Sequence, residues 1–191
     1  LGDVALAREA GAARFAAYVL ESRLLASADP RARLRRARLY VLLTRDLAAG
    51  PLERVARAAL AGGADVLQLR EKGLPDRELL ALAGRLARLA HRHDALFLLN
   101  DRADLAAACG ADGVHLGAED LPVPTARRIL GPAAVIGATS HALREACAAL
   151  AAGADYVSVG PVFPTATKPA LATAGLRYVR EAARALDAPF F

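Results

Sequence analysis

The sequence contains no methionine and no tryptophan, and aromatic residues make up only 5% of its 191 positions. Because methionine is absent, Leu1 is not expected to be a natural translational start. The two cysteines, Cys109 and Cys147, lie in alanine-rich helical contexts and provide neither a zinc-binding spacing nor a disulfide framework. We therefore expect two buried, unreactive thiols and a reducing, cytoplasmic location.

Two further absences narrow the function classes. No uninterrupted run of about 18 apolar residues occurs, so no membrane-spanning helix is predicted. The chain also lacks the glycine-rich loops of dinucleotide-binding and Walker-type sites, which excludes nucleotide sites of those kinds. With 55% hydrophobic and 24% charged residues, the composition is that of a globular domain with one sizeable core.

Positive charge is concentrated at one end of the chain, although the formal net charge is only +5. Residues 1–38 contain eight arginines and four acidic residues, and five of these arginines fall within PRARLRRAR. The cluster is compatible with an anionic partner, but no aromatic side chains are interleaved with it to stack on bases. We therefore favour a solvated helix face and predict no nucleic-acid partner. Residues 1–38 are interpreted as a helical N-terminal arm, or as the tail of an upstream domain, with Pro30 as a break.

From Leu39 onward, short apolar runs alternate with longer segments of helical periodicity. The predicted strands are LYVLLT (39–44), DVLQLR (65–70), LFLLN (96–100), GVHLG (113–117), VIGATS (135–140) and YVSVGPVF (156–163), with the start of a seventh in PFF (189–191). Continuous apolar runs are typical of parallel strands buried on both faces. After Asp76, one apolar stripe at helical spacing comprises Leu79, Leu82, Ala83, Leu86, Leu89 and Ala90. This alternation predicts an α/β fold.

An internal repeat makes the fold prediction more specific. Three segments share Gly-Ala-Asp followed by an apolar strand: GGADVLQL (62–69), CGADGVHL (109–116) and AGADYVSV (152–159). Their glycines lie 47 and 43 residues apart, about two βα units each time. Equivalent alternate strands favour a (βα)8 TIM barrel over residues 39–191, not an open doubly wound sheet. Since six strands and the start of a seventh are present, we expect the barrel to be incomplete at its C-terminal end.

In such a barrel, functional side chains collect at the C-terminal ends of the strands. Polar groups follow five consecutive predicted strands, in QLREK (68–72), NDR (100–102), HLGAED (115–120), ATSH (138–141) and GPVFPTATK (160–168). Arg70, Lys72 and Lys168 form a cationic set suited to pyrophosphate. Asp101 and Asp120 are oxygen ligands suited to Mg²⁺. We therefore predict a Mg²⁺-dependent enzyme that acts on a phosphate or pyrophosphate ester.

The four histidines are less informative. His115 lies within the fourth predicted strand and is interpreted as a core residue. His91 and His93 end a predicted helix, where a cation suits the helix dipole, and are interpreted as surface residues. His141 lies at a strand end, and the sequence alone leaves its role open.

From Leu39 to Phe191 the chain resembles the thiamine phosphate synthase family. The resemblance rests on five motifs in this order: QLREK, NDR, GADGVHLGAED, GATSH and GPVFPTATK. The resemblance implies a barrel transferase that uses Mg²⁺ to join 4-amino-2-methyl-5-(diphosphomethyl)pyrimidine to thiazole phosphate, releasing pyrophosphate. It implies contacts to the pyrimidine pyrophosphate from Gln68, Leu69, Arg70, Glu71, Lys72, Asn100, Thr139 and Lys168. It implies contacts to the thiazole phosphate from Thr165, Ala166 and Thr167, Mg²⁺ on Asp101 and Asp120, and catalytic roles for Arg70, Lys72 and Lys168.

The chain departs from that family pattern in two places. Thr139 stands where the family usually has a serine, which keeps the hydroxyl but adds a methyl group. The family's remaining thiazole phosphate contacts lie in loops after the seventh and eighth strands, so weak or no activity is expected of the chain as given. The implied partners are small-molecule substrates, with no membrane, and a homodimer is compatible with the sequence.

Three alternatives stay open at this point. A related thiazole tautomerase would use His141 in proton transfer, but the intact GPVFPTATK loop favours the synthase. A non-catalytic phosphate-binding barrel is disfavoured by the retained aspartates and Lys168. Other phosphate-binding barrels, such as an epimerase or an indole-pathway enzyme, fit the fold but not this set of motifs.

Overall fold

The structure, a computed structural model, describes residues 29–164 and 173–191. The strands are β1 (Tyr40–Leu43), β2 (Val66–Leu69), β3 (Leu96–Asn100), β4 (Gly113–Leu116), β5 (Val135–Ser140) and β6 (Tyr156–Val159). The helices are α1 (Pro30–Leu34), α2 (Leu52–Ala61), α3 (Asp76–Arg92), α4 (Ala103–Cys109), α5 (Val123–Leu130), α6 (Leu143–Ala151) and α7 (Gly175–Ala185), and a short 3-10 helix (Arg45–Leu47) follows β1. The six predicted strands are thus confirmed, as is the apolar stripe of α3, all of which is buried.

Four of the predicted strands are shorter in the structure, the first, second and fourth by one or two residues and the sixth by four. The sixth run was predicted to extend to Phe163, but β6 ends at Val159. Pro161 follows closely and has no N–H to donate to a neighbouring strand, which explains the early end. The seventh run contributes one parallel bridge, between Phe190 and Val157 of β6.

The strands form one parallel sheet whose spatial order follows the chain, β1 to β6. The hydroxyls of Tyr40 on β1 and Tyr156 on β6, the two edge strands, lie 2.8 Å apart across the inner face. This contact shows that the sheet is curled. Six consecutive parallel strands curled inside a set of helices form the α/β arrangement of a TIM-like barrel.

Side chains alternate between two apolar layers. The inner layer comprises Leu34, Val66, Leu96, Leu98, Val135 and Tyr156. The outer layer packs between the sheet and the helices and includes Leu67, Leu69, Phe97, Leu99, Val114 and Ile136. Strands covered on both faces in this way have no side exposed to solvent, which explains their largely apolar sequences.

The Gly-Ala-Asp repeat has a structural role at the N-terminal ends of alternate strands. Gly63, Gly110 and Gly153 all have positive φ, as expected where a helix turns into the next strand. Each aspartate then accepts backbone N–H groups from the start of the preceding strand. The pairs are Asp65 with Leu39 at 2.9 Å, Asp112 with Phe97 at 2.7 Å and Asp155 with Ile136 at 2.8 Å. The repeat therefore fixes the alignment of successive strands.

Helix α1 lies beneath the inner face of the sheet. Pro30 occupies its first turn, where a missing N–H is tolerated, and Leu34 is buried in the inner apolar layer. Arg31 forms an ion pair with Asp155 at 2.8 Å, and Arg33 one with Asp94 at 3.3 Å. The prediction of a solvated arginine face is thus wrong for these two residues. The segment 1–28 lies outside the described residues.

The prediction of two buried thiols is also wrong. Cys109 is half-buried, and burial raises the pKa of its thiol, but Cys147 is exposed. The apolar side of α6 is set by Ala146, which packs against the sheet, so the neighbouring Cys147 faces outward. None of the described helices is long and apolar enough to cross a membrane.

Candidate active site

The C-terminal ends of the strands surround a cavity of about 580 Å³. The side chains that enter it from successive strands and the loops after them include Tyr40, Gln68, Arg70, Lys72, Asn100, Asp101, His115, Asp120, Thr139, His141, Tyr156 and Ser158. The strand register explains this convergence, because neighbouring positions in parallel strands face the same side of a sheet. Asn100 lies beside His115, and Thr139 lies beside Ser158. Within the described residues, the polar groups at these strand ends therefore meet at one rim of the cavity, and their roles stay predictions.

Two cations follow β2 on this rim. Arg70 and Lys72 both line the cavity, and the Lys72 ammonium lies 3.5 Å from the Asp101 carboxylate. The two other predicted contacts of this motif, Leu69 and Glu71, do not line the cavity. The Leu69 side chain is buried in the outer layer. Glu71 accepts a hydrogen bond from the backbone N–H of Arg45 and thereby holds the loop after β1.

The two predicted metal-binding carboxylates lie side by side. Burial, followed by the neighbouring Asp120 carboxylate, raises the pKa of Asp101, and Lys72 opposes that effect. Asp101 has a left-handed backbone with φ 65°, and its N–H donates to the carbonyl of His115 at 2.8 Å. Asp120 accepts the N–H of Gly117 at 2.6 Å, and a Cβ at Gly117 would lie only 2.9 Å from that carboxylate oxygen.

This pair fits a hard divalent cation that keeps most of its ligands outside the protein. No group of three or more acidic, histidine or cysteine side chains suited to a metal occurs among residues 29–164 and 173–191. Mg²⁺ commonly binds through one or two carboxylates together with water and substrate phosphates. Two adjacent carboxylates, which repel each other until a cation neutralises them, match that requirement.

A chain of hydrogen bonds crosses the floor of the cavity. Gln68 Nε2 donates to Tyr40 Oη at 2.8 Å, and Tyr40 Oη meets Tyr156 Oη at 2.8 Å. Tyr156 Oη lies 2.9 Å from His115 Nδ1, and His115 Nε2 lies 3.0 Å from Thr139 Oγ1. We call these five side chains, from five strands, the floor relay. His115 is buried, as predicted, but it also lines the site.

His141 approaches the same cavity from the loop after β5. Its Nδ1 bonds to the carbonyl oxygen of Gly160, and a carbonyl can only accept, so Nδ1 carries the proton. A neutral His141 therefore has its lone pair on Nε2. Its backbone N–H donates to Glu145 at 2.8 Å, which fixes the start of α6. By contrast, His91 and His93 are exposed, as predicted.

Several lining residues escaped the sequence analysis, among them Tyr40, Tyr156 and Ser158. Their inward orientation could not be predicted, because a continuous apolar run does not reveal which of its positions face the cavity. Counting in steps of two from the polar residues of each strand would have marked Ser158 and Tyr156 as one set. The predicted contacts Thr165, Ala166, Thr167 and Lys168 lie outside the described residues.

Comparison with known proteins agrees with this geometry. The family model described as thiamine monophosphate synthase matches residues 39–191. The thiamine-phosphate synthase of Gloeobacter violaceus is 47% identical over 178 residues, which cover 93% of this chain and 51% of that protein. The thiamine-phosphate synthase of Mycobacterium tuberculosis is 48% identical over 170 residues, which cover 83% of this chain and 77% of that protein.

Among solved structures, the thiamine phosphate pyrophosphorylase from Pyrococcus furiosus superposes with a TM-score of 0.74 at 39% identity, covering 82% of this chain and 74% of that one. The chain spans about half the length of the first curated relatives that it matches. The family match extends over the whole sheet and every strand end that lines the cavity. The chain therefore belongs to the thiamine monophosphate synthase family.

Proposed function

We propose that this chain carries the site of a transferase that joins an aminopyrimidine, delivered as its pyrophosphate ester, to thiazole phosphate, forming thiamine phosphate and pyrophosphate. The observation that carries the proposal is the placement of Arg70 and Lys72 beside the Asp101–Asp120 pair on one cavity rim. Cations and a magnesium-type carboxylate pair at one rim suit a leaving pyrophosphate.

In this proposal the pyrimidine pyrophosphate lies along the second, third and fifth strand ends. Gln68, Asn100 and Thr139 would contact the ring and its substituents, and Arg70 and Lys72 would bind the pyrophosphate. Asp101 and Asp120 would hold Mg²⁺, which when bound neutralises charge on the departing pyrophosphate. Thr165, Ala166 and Thr167 would contact the thiazole phosphate, with Lys168 assisting the pyrophosphate.

The reaction is proposed to be dissociative. The bond between the methylene carbon and the pyrophosphate oxygen breaks, and its electron pair leaves with pyrophosphate. The thiazole nitrogen then donates its lone pair to the resulting pyrimidine-methyl cation, which forms the new C–N bond. No proton is removed in this sequence, so no general base is required. Arg70 and Lys72 would stabilise the charge that develops on the leaving group, and the site would align the two rings.

A second candidate rests on His141. Because its Nδ1 is committed to the Gly160 carbonyl, Nε2 is the nitrogen that can exchange a proton with a ligand in the cavity. This arrangement suits a thiazole tautomerase, which needs proton transfer and neither a pyrophosphate site nor a metal. The Arg70, Lys72 and carboxylate cluster would have no task in that reaction, and for this reason we favour the transferase.

The deciding experiment takes the natural protein that contains this chain, incubates it with the pyrimidine pyrophosphate, thiazole phosphate and Mg²⁺, and measures thiamine phosphate formation. Removal of Lys72 by Lys72→Gln is expected to lower kcat/KM about 100-fold or more, as loss of a transition-state charge contact does. Arg77→Gln removes an exposed cation from α3 and is the matched control. Thiazole isomerisation without thiamine phosphate, lost in His141→Asn, would instead establish the tautomerase. If neither activity is found, the protein is a non-catalytic phosphate-binding barrel.

A further inference from the structure

The floor relay has a direction that follows from the chemistry of its members. An amide nitrogen can only donate, so Tyr40 Oη accepts from Gln68 Nε2. Burial raises the pKa of both Tyr40 and Tyr156, so each phenol keeps its single proton at neutral pH. Only one polarity lets both phenols donate their protons to a partner within the relay. In that polarity Tyr40 donates to Tyr156, and Tyr156 donates to Nδ1 of His115.

The same polarity fixes the far end of the relay. With Nδ1 accepting, a neutral His115 carries its proton on Nε2, which donates to Thr139 Oγ1 at 3.0 Å. The Thr139 hydroxyl then has its own proton left to donate into the cavity. At the near end, Gln68 uses its nitrogen on Tyr40 and retains its carbonyl oxygen as an acceptor. The relay thus presents an acceptor at Gln68 and a donor at Thr139.

Gly137 on β5 leaves the space that the Tyr156 ring occupies. A Cβ at Gly137 on β5 would lie 2.0 Å from Cζ of Tyr156, so the ring reaches His115 only because residue 137 is glycine. The ring of Tyr156 also packs against His115, with centroids 5.6 Å apart. Both contacts hold the phenol oxygen where it meets Nδ1. The placement of Tyr156 therefore depends on packing as well as on its hydrogen bonds.

We propose that Tyr40, Tyr156 and His115 are positioning residues that set the donor and acceptor pattern read by the ligand ring. Resting on the proposed function, this assigns to the relay the preference for an aminopyrimidine, whose amino group donates and whose ring nitrogen accepts. A 4-oxo pyrimidine reverses that pattern, because its oxygen accepts and its ring N–H donates. Tyr40, Tyr156 and His115 would therefore disfavour the oxo ring without touching it, because the tautomer of His115 decides what Thr139 can offer to the ring.

The first test reads the tautomer directly and needs no ligand. Imidazole ¹⁵N chemical shifts distinguish protonated from unprotonated ring nitrogens, and the His115 signals are assigned by their loss in His115→Gln. The proposal expects a neutral ring protonated at Nε2 in the wild-type chain. In Tyr156→Phe, Nδ1 loses its donor, and the other tautomer or a mixture is expected. A ring protonated at Nδ1 in the wild type would overturn the polarity.

The second test measures ligand selectivity. Calorimetry with Mg²⁺, and without thiazole phosphate, compares binding of the aminopyrimidine pyrophosphate with that of its 4-oxo analogue. The wild type is expected to prefer the amino compound by about tenfold or more, the scale of one misplaced hydrogen bond. Tyr156→Phe should reduce this preference to about threefold or less, and Tyr40→Phe should act in the same direction. Tyr178→Phe removes a buried phenol that bonds to Ser140 outside the relay, and it should leave the preference unchanged.

The outcomes separate the relay from the proposed function. If the wild type binds the amino compound selectively and Tyr156→Phe, with an unchanged fold, does so equally, the relay proposal is wrong and the proposed function stands. If the wild type binds neither compound, the proposed function fails and the selectivity role fails with it, whereas the tautomer result still decides the polarity. Equal loss of selectivity in Tyr178→Phe would point to general loosening and would also overturn the relay.

Discussion

At the scale of single residues, the closeness of Asp101 and Asp120 is the feature that most needs an explanation. Two neighbouring carboxylates destabilise a folded protein unless a proton or a cation neutralises them. Burial and Asp120 together raise the pKa of Asp101, and Lys72, 3.5 Å away, offsets only part of that effect. This repulsion supports the proposal that a cation binds between the two carboxylates.

This repulsion predicts that Asp101→Asn stabilises the ligand-free protein at pH 7. Asparagine tolerates the left-handed backbone at this position, so the substitution removes charge without adding strain. The gain is expected to be roughly 1 kcal/mol, the scale of charge interactions in partly exposed sites. Thermal unfolding should show a higher Tm for the variant without Mg²⁺, and Mg²⁺ should raise the Tm of the wild type only.

The stability difference between Asp101→Asn and the wild type should depend on pH. A carboxyl with a raised folded pKa is neutral in both states at low pH, and its penalty appears as pH rises through the folded value. The advantage of Asp101→Asn should therefore vanish near pH 3 and be complete at neutral pH. Asp104→Asn is the control, because hydrogen bonding from Arg102 lowers the pKa of Asp104 and its loss should destabilise. A wild type more stable than Asp101→Asn at pH 7 would refute the repulsion.

At the scale of elements, the contacts of two Gly-Ala-Asp repeats predict that replacing Asp155 destabilises the fold more than replacing Asp65. Asp155 accepts from the N–H of Ile136 and from Arg127 at 2.7 Å, and it also pairs with Arg31. It therefore joins β5, α5 and α1. Asp155→Ala should lower the free energy of unfolding by about 2–4 kcal/mol, since it leaves buried donors without partners. Asp65→Ala should lower the free energy of unfolding by less, because Asp65 accepts only two backbone N–H groups, both in exposed contacts.

Urea denaturation of the alanine variants measures this order directly. The exposed Asp187 serves as control, and its substitution should change stability by no more than about 0.5 kcal/mol. An Asp155→Ala variant as stable as the control would show that the repeat has no structural role at the strand starts.

A second prediction at this scale concerns the close approach of β4 and β5. A Cβ at Gly113 would lie 1.7 Å from the carbonyl oxygen of Val135, so no side chain fits between these strands. Gly113→Ala is expected to prevent stable folding or to cost at least about 3 kcal/mol. Gly73→Ala, whose Cβ meets nothing within 4 Å, should be neutral or slightly stabilising. Equal stability of both variants, measured by urea unfolding, would contradict this account of β4.

The sequence was sufficient to predict the elements but not the faces of the strands. The six apolar runs are bounded by polar and glycine residues, so the positions of β1 to β6 could be read from them. The Gly-Ala-Asp repeat also marked the starts of alternate strands, where Gly63, Gly110 and Gly153 have positive φ. Whether Tyr156 faces the helices or the cavity depends on register between strands, which a continuous apolar run does not encode.

The same limit explains the errors at exposed positions. Cys147 and the arginines of α1 were judged from local composition, whereas their exposure depends on which side of a helix meets the sheet. Glu71 belongs to the QLREK motif, yet its carboxylate holds the loop at Arg45, because a motif does not specify where each side chain points. The described part of the rim could be predicted, since parallel strands bring their C-terminal ends to one edge, whereas residues 165–168 lie outside the described residues.

At the scale of the whole molecule, ligand binding and folding stability are linked. A ligand that binds only the folded chain raises the free energy of unfolding by an amount set by its concentration relative to Kd, about 2.7 kcal/mol at 100 times Kd. For a chain of this size that corresponds to a rise in Tm of about 5–11 °C. The carboxylate pair and the cations lie on one rim, so Mg²⁺ and pyrophosphate should bind there together.

We therefore expect Mg²⁺ and pyrophosphate together to raise the Tm by more than the sum of their separate effects. In the proposed function, Mg²⁺ would lessen the repulsion between the carboxylates and the anion, and Arg70 and Lys72 would bind the anion from the other side. Differential scanning fluorimetry of the four conditions measures this cooperativity. Arg70→Gln should reduce the joint shift by more than half, whereas Arg88→Gln, on the exposed side of α3, should preserve it. Purely additive shifts, or equal losses in both variants, would mean that the rim does not bind a magnesium pyrophosphate complex as a unit.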